Sequence, residues 1–464
     1  MTDFASLLVA DRGQKARLIH LVDKAGFDTW LKGQPPEDRA LTEAHRFDAK
    51  KAFGFVILPR GNEFEVVSAV KNTAELSPWC LAKLAESLPE GTYKLADGNV
   101  GHAGLGWLLA QHRFDDYRSG SDARPGARVL VTNDPARIDE TVRQAEATAL
   151  VRDLVNTPAA DLGPAEIEKA VREEGNRLGA KVRVTSGDEL REGYPLIAAV
   201  GRAATAERAP RLIELEWGDP TNPRLAIVGK GVCFDSGGLD LKSASGMRLM
   251  KKDMGGAVHA LALASLVVGA KLPICVHLLI PTVENAVSGA AYRPGDIVKS
   301  RKGLTVEIDN TDAEGRLILA DALARAVEDK PELIIDFATL TGAARVALGP
   351  DLPATFSNRD ELALELESAA RDVEDPLWRM PLWGPYEDLL KSDIADFANA
   401  SSSPMAGCIT AAIFLKKFVP DEIPWAHLDT WAWRDPAKPG RPKGGEALGL
   451  RAVFETVRRR YSRG

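Results

Sequence analysis

Val228–Gly256 reads VGKGVCFDSGGLDLKSASGMRLMKKDMGG, and Asp309–Ala322 reads DNTDAEGRLILADA. The first piece leaves an apolar strand, RLAIVG, passes through a glycine-rich charged loop, and enters the long apolar helix GGAVHALALASLVVG. The second leaves TVEID and enters the helix GRLILADALARAVED. Strand, charged loop and helix in succession are the signature of a parallel sheet covered by helices, with ligands held off the C-terminal strand ends. Between them the loops carry Lys230, Lys242, Asp235, Asp253, Asp312, Glu314 and Arg316. Carboxylates outnumber cations there, and no cysteine or histidine pair has zinc-finger spacing. If these loops meet, they suit two divalent metals bridged by oxygen ligands.

Working outward, the second half alternates regularly. AKVRVTSG, PLIAAVG, RLIELEWG, RLAIVGKG, LPICVHLLIP, TVEID and ELIIDFATLTG read as strands, and GPAEIEKAVREEGNRLG, like the two helices above, as helical. The first half reads as a smaller α/β domain. LVDKAGFDTWLKG (21–33), LAKLAESLPEG and HAGLGWLLAQHRF read as helices there, and FGFVILPR, FEVVSAV and ARVLVTND as strands. The expected fold is therefore α/β: an N-terminal α/β domain over 1–138, and a catalytic domain over 139–464 with a largely parallel, helix-covered sheet. A connector helix over about 139–157 ends at Asn156-Thr157-Pro158.

Composition narrows the function. The chain has 464 residues, 45% hydrophobic and 27% charged, which supplies ample core and argues against disorder. A net charge of -7 makes nucleic acid an unfavourable partner. The basic run Arg458, Arg459, Arg460 and Arg463 reads as a solvated helix end. Cys80, Cys233, Cys275 and Cys408 lie far apart, as reduced, buried thiols in a cytoplasmic protein do. MTDFASLLVADRG lacks the basic start of a signal peptide, and the longest apolar run, Val258–Ala270, is too short to span a membrane.

Each motif alone also has a structural reading. Thr311 and Glu314 have capping-box spacing, and Asp253 stands where an N-cap would. Lys251 and Lys252 beside it read as solvated. The glycines of GKGVCFDSGG could cradle phosphate, which leaves a nucleotide-binding protein as a rival. That loop matches neither dinucleotide nor P-loop spacing, however, and Asp235 would repel the anion.

The combination is more specific. GKGVCFDSGG, the lysine of LDLKSASGM, the aspartate of KKDMGG and NTDAEGR together resemble the leucyl aminopeptidase family of di-metal enzymes, and the intervals between them fit. PTVENAVSGAAYRPGD and DFATLTGAARVALG are similar to family segments. The resemblance implies one metal on Lys230, Asp235, Asp253 and Glu314, and another on Asp235, Asp312 and Glu314. Zinc is the expected ion, with manganese, magnesium or cobalt tolerated. It further implies a metal-bridging water as nucleophile, Lys242 at the oxyanion, and Arg316 holding a bicarbonate general base. Met250, Thr339 and Gly342 would line the pocket for the first side chain, and backbone near Leu340 would bind the peptide. Peptide substrates and a homohexamer follow from the same resemblance. One segment departs from the pattern. Where the family has WAHLDIAG, Trp425–Trp433 reads WAHLDTWAW, with tryptophans replacing small residues, so a narrowed, dipeptidase-like specificity is the second rival.

Overall fold

The computed structural model describes residues 2–119 and 126–462. They form two compact units, one of residues 1–149 and 436–443, the other of residues 150–435 and 444–464. The helix Ile138–Asn156 runs through the boundary.

The first unit is built on a six-stranded sheet. Its strands are β1 (Leu8–Ala10), β2 (Arg17–Val22), β3 (Phe55–Arg60), β4 (Glu63–Ala69), β5 (Gly91–Leu95) and β6 (Arg128–Thr132), in the order β1-β6-β5-β2-β4-β3. All neighbours are parallel except the β3–β4 hairpin. One core gathers Ile19, Val66, Tyr93, Trp107 and Leu130; a second gathers Val22, Phe27, Val56 and Leu58. The 436–443 segment belongs to this unit: Gly440 N–H donates to Glu86 at 2.8 Å, and the Arg441 guanidinium lies 4.5 Å from the Trp79 ring centre. The helical reading of 21–33 is corrected here. Leu21 and Val22 finish β2, in register with Ser68 and Ala69, and the helix covers only Phe27–Lys32. Asp23 makes the break by accepting from Gly26 N–H at 2.8 Å, a local turn that competes with helix.

The second unit carries a nine-stranded sheet. Its path is β16 (Trp378–Arg379), β15 (Ala354–Ser357), β18 (Trp425–Asp429), β14 (Leu333–Ala338), β9 (Arg224–Gly229), β11 (Cys275–Asn285), β8 (Arg211–Trp217) and β7 (Lys181–Ser186), with β10 (Gly231–Asp235) paired to β11. The central run β18-β14-β9-β11 is parallel, and β7 and β8 add an antiparallel edge. A separate small sheet joins β12 (Ile297–Lys299), β13 (Thr305–Glu307) and β17 (Phe397–Ala398). TVEID therefore leaves the main sheet, and the loop after it approaches the site from the side.

The helix Gly255–Gly269 lies across β9, β14 and β11, buried from Gly255 to Val268. Glycine at its first turn is required: a Cβ on Gly256 would collide with the Phe337 carbonyl. That close approach brings Asp253, two residues before the helix, against Lys230 after β9 and Thr339 after β14.

PLIAAVG is a helix, Pro195–Gly201, not a strand. Its apolar run is too short for periodicity to decide. Proline pre-sets the first turn, and buried Asp321 accepts from Leu196 N–H at 2.8 Å and from Ile197 N–H at 3.4 Å. That cap comes from a residue far along the chain, on the helix Glu314–Glu328.

The capping-box and N-cap readings are also overturned. Ala313 occupies the cap of the Glu314 helix with no side-chain cap bond, and Met254 caps the Gly255 helix in the same way. Thr311 Oγ1 instead donates to Gly237 O at 2.6 Å and accepts from Asp240 N–H at 2.9 Å, tying the two motif loops together. At the chain's end Arg458, Arg459 and Arg460 are ion-paired to Glu455, Asp372 and Glu365; Arg463 lies outside the described residues. Among the described residues no helix is long and apolar enough to cross a membrane.

Candidate active site

The three motif loops converge at the C-terminal ends of β9, β10 and β14. Lys230 follows β9 and is 2% exposed. Its Nζ lies 2.7 Å from Asp253 Oδ2 and 2.9 Å from Glu314 Oε1, and donates to Thr339 O at 3.1 Å. Lys242 Nζ lies 2.8 Å from Asp235 Oδ2 and in contact with Asp312 Oδ1. Asp235, Asp312 and Glu314 offer carboxylate oxygens all within 4.8 Å of one another. Asp235, Asp253 and Glu314 are buried to 2% exposure or less. Gly315 makes room for this packing, since a Cβ there would sit 2.5 Å from Lys230 Cε.

Four carboxylates face two ammonium groups, and the imbalance sets the electrostatics. Burial and the charge of Asp235 push Glu314 up to about 8 and Asp312 up to about 6. Burial would lower Lys230, but Asp253, Glu314 and Asp235 outweigh it and hold it above the usual lysine range. Lys242 is raised likewise, against burial, by Asp235 and Glu314. Buried Asp253 Oδ2, Asp312 Oδ1 and Glu314 Oε1 accept no aligned hydrogen bond. A cluster of buried, acceptor-rich oxygens short of positive charge fits divalent cations.

Supporting residues absent from the sequence reading hold these groups in place. Asn285 Nδ2 donates to Asp235 Oδ1 at 2.9 Å and to Thr311 O at 3.1 Å, and the Tyr292 hydroxyl donates to the same Thr311 O at 2.6 Å. Both lie in PTVENAVSGAAYRPGD, where nothing in residue type marks them. Asn399 accepts from Asp309 and Asn310 N–H at 2.8 and 3.1 Å, fixing the loop that carries Asp312. Arg316 is 8% exposed and donates through Nη1 to Asn399 O at 2.7 Å; its buried Nε has no hydrogen-bond partner. Burial brings its guanidinium down to about 10.

These residues line a cleft of about 830 Å³ together with Met250, Thr339, Leu340 and Gly342. Leu340 N–H is already taken by Asp429 Oδ1 at 2.9 Å. The solvated reading of the paired lysines fails. Lys252 is 2% exposed, with Nζ 3.7 Å from the Trp431 ring centre, and burial brings it down to about 8. Lys251 Nζ donates to Asn156 O and lies over Trp433. A tryptophan roughly 180 positions downstream covers Lys252, beyond the reach of any local pattern.

The remaining titratable groups are structural. Buried Cys233 is pushed up to about 12 and contacts Thr282 Oγ1 at 3.3 Å, as an inert packing thiol. His259 bonds backbone on both sides, to Gly255 O at 2.7 Å and from Leu448 N–H at 3.0 Å. His427 pairs with Asp336 at 2.5 Å. Glu216, His277 and Asp329 also cluster, but Arg224 and Arg325 already neutralise the carboxylates there.

A helix-covered sheet with a lysine–carboxylate cluster at its strand ends fits a metal-binding enzyme of the α/β class. Residues 149–454 match the catalytic domain of the cytosol aminopeptidase family, and residues 18–131 match the N-terminal domain of M17 aminopeptidases. The chain belongs to the cytosol aminopeptidase family, and it is a metal-dependent aminopeptidase acting on peptides. A probable cytosol aminopeptidase of Syntrophotalea carbinolica is 42% identical over 368 residues, covering 76% of this chain and 73% of that protein. The crystal structure of a cytosol aminopeptidase from Coxiella burnetii superposes with a TM-score of 0.92 at 44% identity, covering 98% of this chain and 99% of its own. The bottromycin maturation enzyme BotP in complex with Mn superposes with a TM-score of 0.86 at 33% identity, covering 96% and 100%. Enzymes of this family use two divalent metals.

Proposed function

We propose that the lysine–carboxylate cluster is the di-metal centre and that it removes the N-terminal residue of peptides. The observation that carries this reading is the convergence of Lys230, Asp235, Asp253, Asp312 and Glu314 from three separate loops, with more buried negative charge than the two lysines offset. Lys230, Asp235, Asp253 and Glu314 would hold one ion; Asp235, Asp312 and Glu314 would hold the other. Zinc is the proposed ion, and manganese, which accompanies BotP, is the alternative. When bound, the metals supply Lewis-acid polarisation and an acidified water, and bicarbonate supplies a base.

The chain's own residues set the geometry. To serve as a ligand Lys230 would have to give up its proton, and bound cations would favour that loss. Lys242 keeps its charge, reaches the cleft, and donates to the oxyanion that develops as the peptide carbonyl is attacked. Arg316, with a buried Nε free of hydrogen bonds, has the donor a planar anion such as bicarbonate needs. Met250, Thr339 and Gly342 would border the first side chain; with its N–H engaged, Leu340 would offer the peptide its carbonyl. A homohexamer is proposed on the family resemblance alone, and a cytoplasmic location on the four separate, buried and free cysteines.

Metal-free protein titrated with Zn²⁺ or Mn²⁺ in a calorimeter, followed by an aminopeptidase assay, tests the ligand set. Wild type should take up two ions per chain and gain activity. Asp253→Ala and Glu314→Ala should each bind fewer and stay inactive while melting cooperatively. Wild-type turnover in either variant would refute the assignment.

A further inference from the structure

Lys252, Trp431 and Arg345 form a ladder at the side of the cleft. Lys252 belongs to the 3-10 turn Met250–Met254, directly before the proposed ligand Asp253. Arg345 belongs to the helix Gly342–Leu348, directly after β14. Trp431 follows β18, two residues after Asp429. The Lys252 ammonium and the Arg345 guanidinium lie 3.7 and 4.0 Å from the indole centre. All three residues line the same cleft as the metal cluster.

The two cations make no direct carboxylate pair, and Asp253 and Asp429 attract the Lys252 charge only from a distance. Among the described residues, neither Lys252 nor Arg345 makes an ion pair with a carboxylate. The nearby acids are committed elsewhere. Asp253 faces Lys230 at 2.7 Å and Thr339 Oγ1 at 2.8 Å. Asp429 accepts from Leu340 N–H, Thr341 N–H and Thr341 Oγ1 at 2.9, 3.2 and 2.6 Å. A lysine this deeply buried without a direct ion pair is costly, and a ring face compensates only partly.

Resting on the di-metal aminopeptidase reading above, we infer that Lys252 and Arg345 select substrates whose N-terminal residue carries a side-chain carboxylate, glutamate or aspartate. Lys252 precedes Asp253 directly and lines the same cleft as the cluster, so a substrate held at the cluster by its α-amine would lie along the wall that begins with Lys252. Trp431 puts a bulky ring beside both cations in the cleft, where a small residue would leave space. A carboxylate entering there completes a charge-assisted pair with Lys252, and Arg345 at the rim offers a bidentate partner. A leucine side chain entering the same space would leave the lysine desolvated and unpaired.

The test compares kcat/KM of the metal-loaded full chain on the p-nitroanilides of glutamate, glutamine and leucine. These compounds have no C-terminal carboxylate, so only the side chain differs. Glutamate should exceed its isostere glutamine by about 10–100-fold, as expected when a substrate charge completes a buried pair. In Lys252→Met that ratio should fall to near one, whatever the change in leucine turnover. The exposed substitution Arg345→Met should lower the ratio partly, so the comparison survives if the buried variant folds poorly. Cleavage of leucine anilide with no glutamate-over-glutamine preference would overturn the inference and leave the aminopeptidase reading standing. A carboxylate preference seen only with free-acid dipeptides, and lost on amidating their C-termini, would overturn it by placing the anion at the other end of the substrate. Failure to cleave any anilide or dipeptide would overturn both.

Discussion

Thr339 Oγ1 donates to Asp253 Oδ1 at 2.8 Å and is also 3.0 Å from the Asp253 carbonyl oxygen. The bond joins the end of β14 to the turn before the Gly255–Gly269 helix, so the orientation of a proposed metal ligand depends on a residue from another loop. Thr339 is thus more than a wall of the cleft. Thr339→Val keeps the shape and removes the donor. It should weaken metal binding by about 10–100-fold, as losses behind a ligand do. Competition with a chromophoric chelator would measure this, and unchanged affinity would show that Asp253 needs no such support.

Lys242 differs from Lys230 in its surroundings. Its side chain is 17% exposed, against 3% for Lys230, and it faces the cleft. Lys242→Ala should therefore lower kcat by about 10²–10³-fold, the cost of losing an oxyanion donor, while leaving two ions bound. Metal content by elemental analysis alongside steady-state kinetics separates this from a ligand defect. A loss of metal would move Lys242 into the ligand set.

Arg316 predicts a dependence on a small anion. Arg316→Met should reduce kcat by about 10²-fold, in the range of a lost general base, and should abolish any stimulation by added bicarbonate. Rates in carbonate-free buffer with and without bicarbonate would check it. Equal stimulation in both proteins would place the anion elsewhere.

His277 sits far from the cleft, buried between Glu214 and Asp329, each 3.1 Å away. Burial lowers its pKa, but the adjoining carboxylates of Asp329 and Glu214 outweigh it, so its folded pKa is raised. A raised histidine stabilises the fold fully below its unfolded value of about 6.5, and that stability is lost as pH climbs through the folded value. The gap in Tm between wild type and His277→Gln should therefore be wider at pH 6 than at pH 9. A gap that widens with rising pH would mean the imidazole is neutral in the native state.

Much of the site was legible because its chemistry is concentrated in loops. The glycine turns, the acids and Lys230 lie within short spans at strand–helix junctions, where alternation of apolar runs already shows the sheet. What stayed hidden depends on partners distant in sequence. Nothing near Lys252 announces that Trp431 will cover it, and nothing in PLIAAVG announces that Asp321 will cap it. Thr311 and Glu314 have the spacing of a cap but bond elsewhere, because Gly237, Asp240 and Lys230 reach them first. Local spacing registers what neighbours can do, and tertiary packing chooses among those possibilities.

The 436–443 segment bears on how the molecule is made. Residues 1–149 leave the ribosome long before their remaining strip of chain exists, so the first unit must wait, unfinished, through the synthesis of nearly three hundred more residues. Trp79 and Glu86 meet Arg441 and Gly440 only once those late residues have been made. A nascent chain stalled before residue 436 should accordingly be far easier for a protease to cut within its first 149 residues than the released protein.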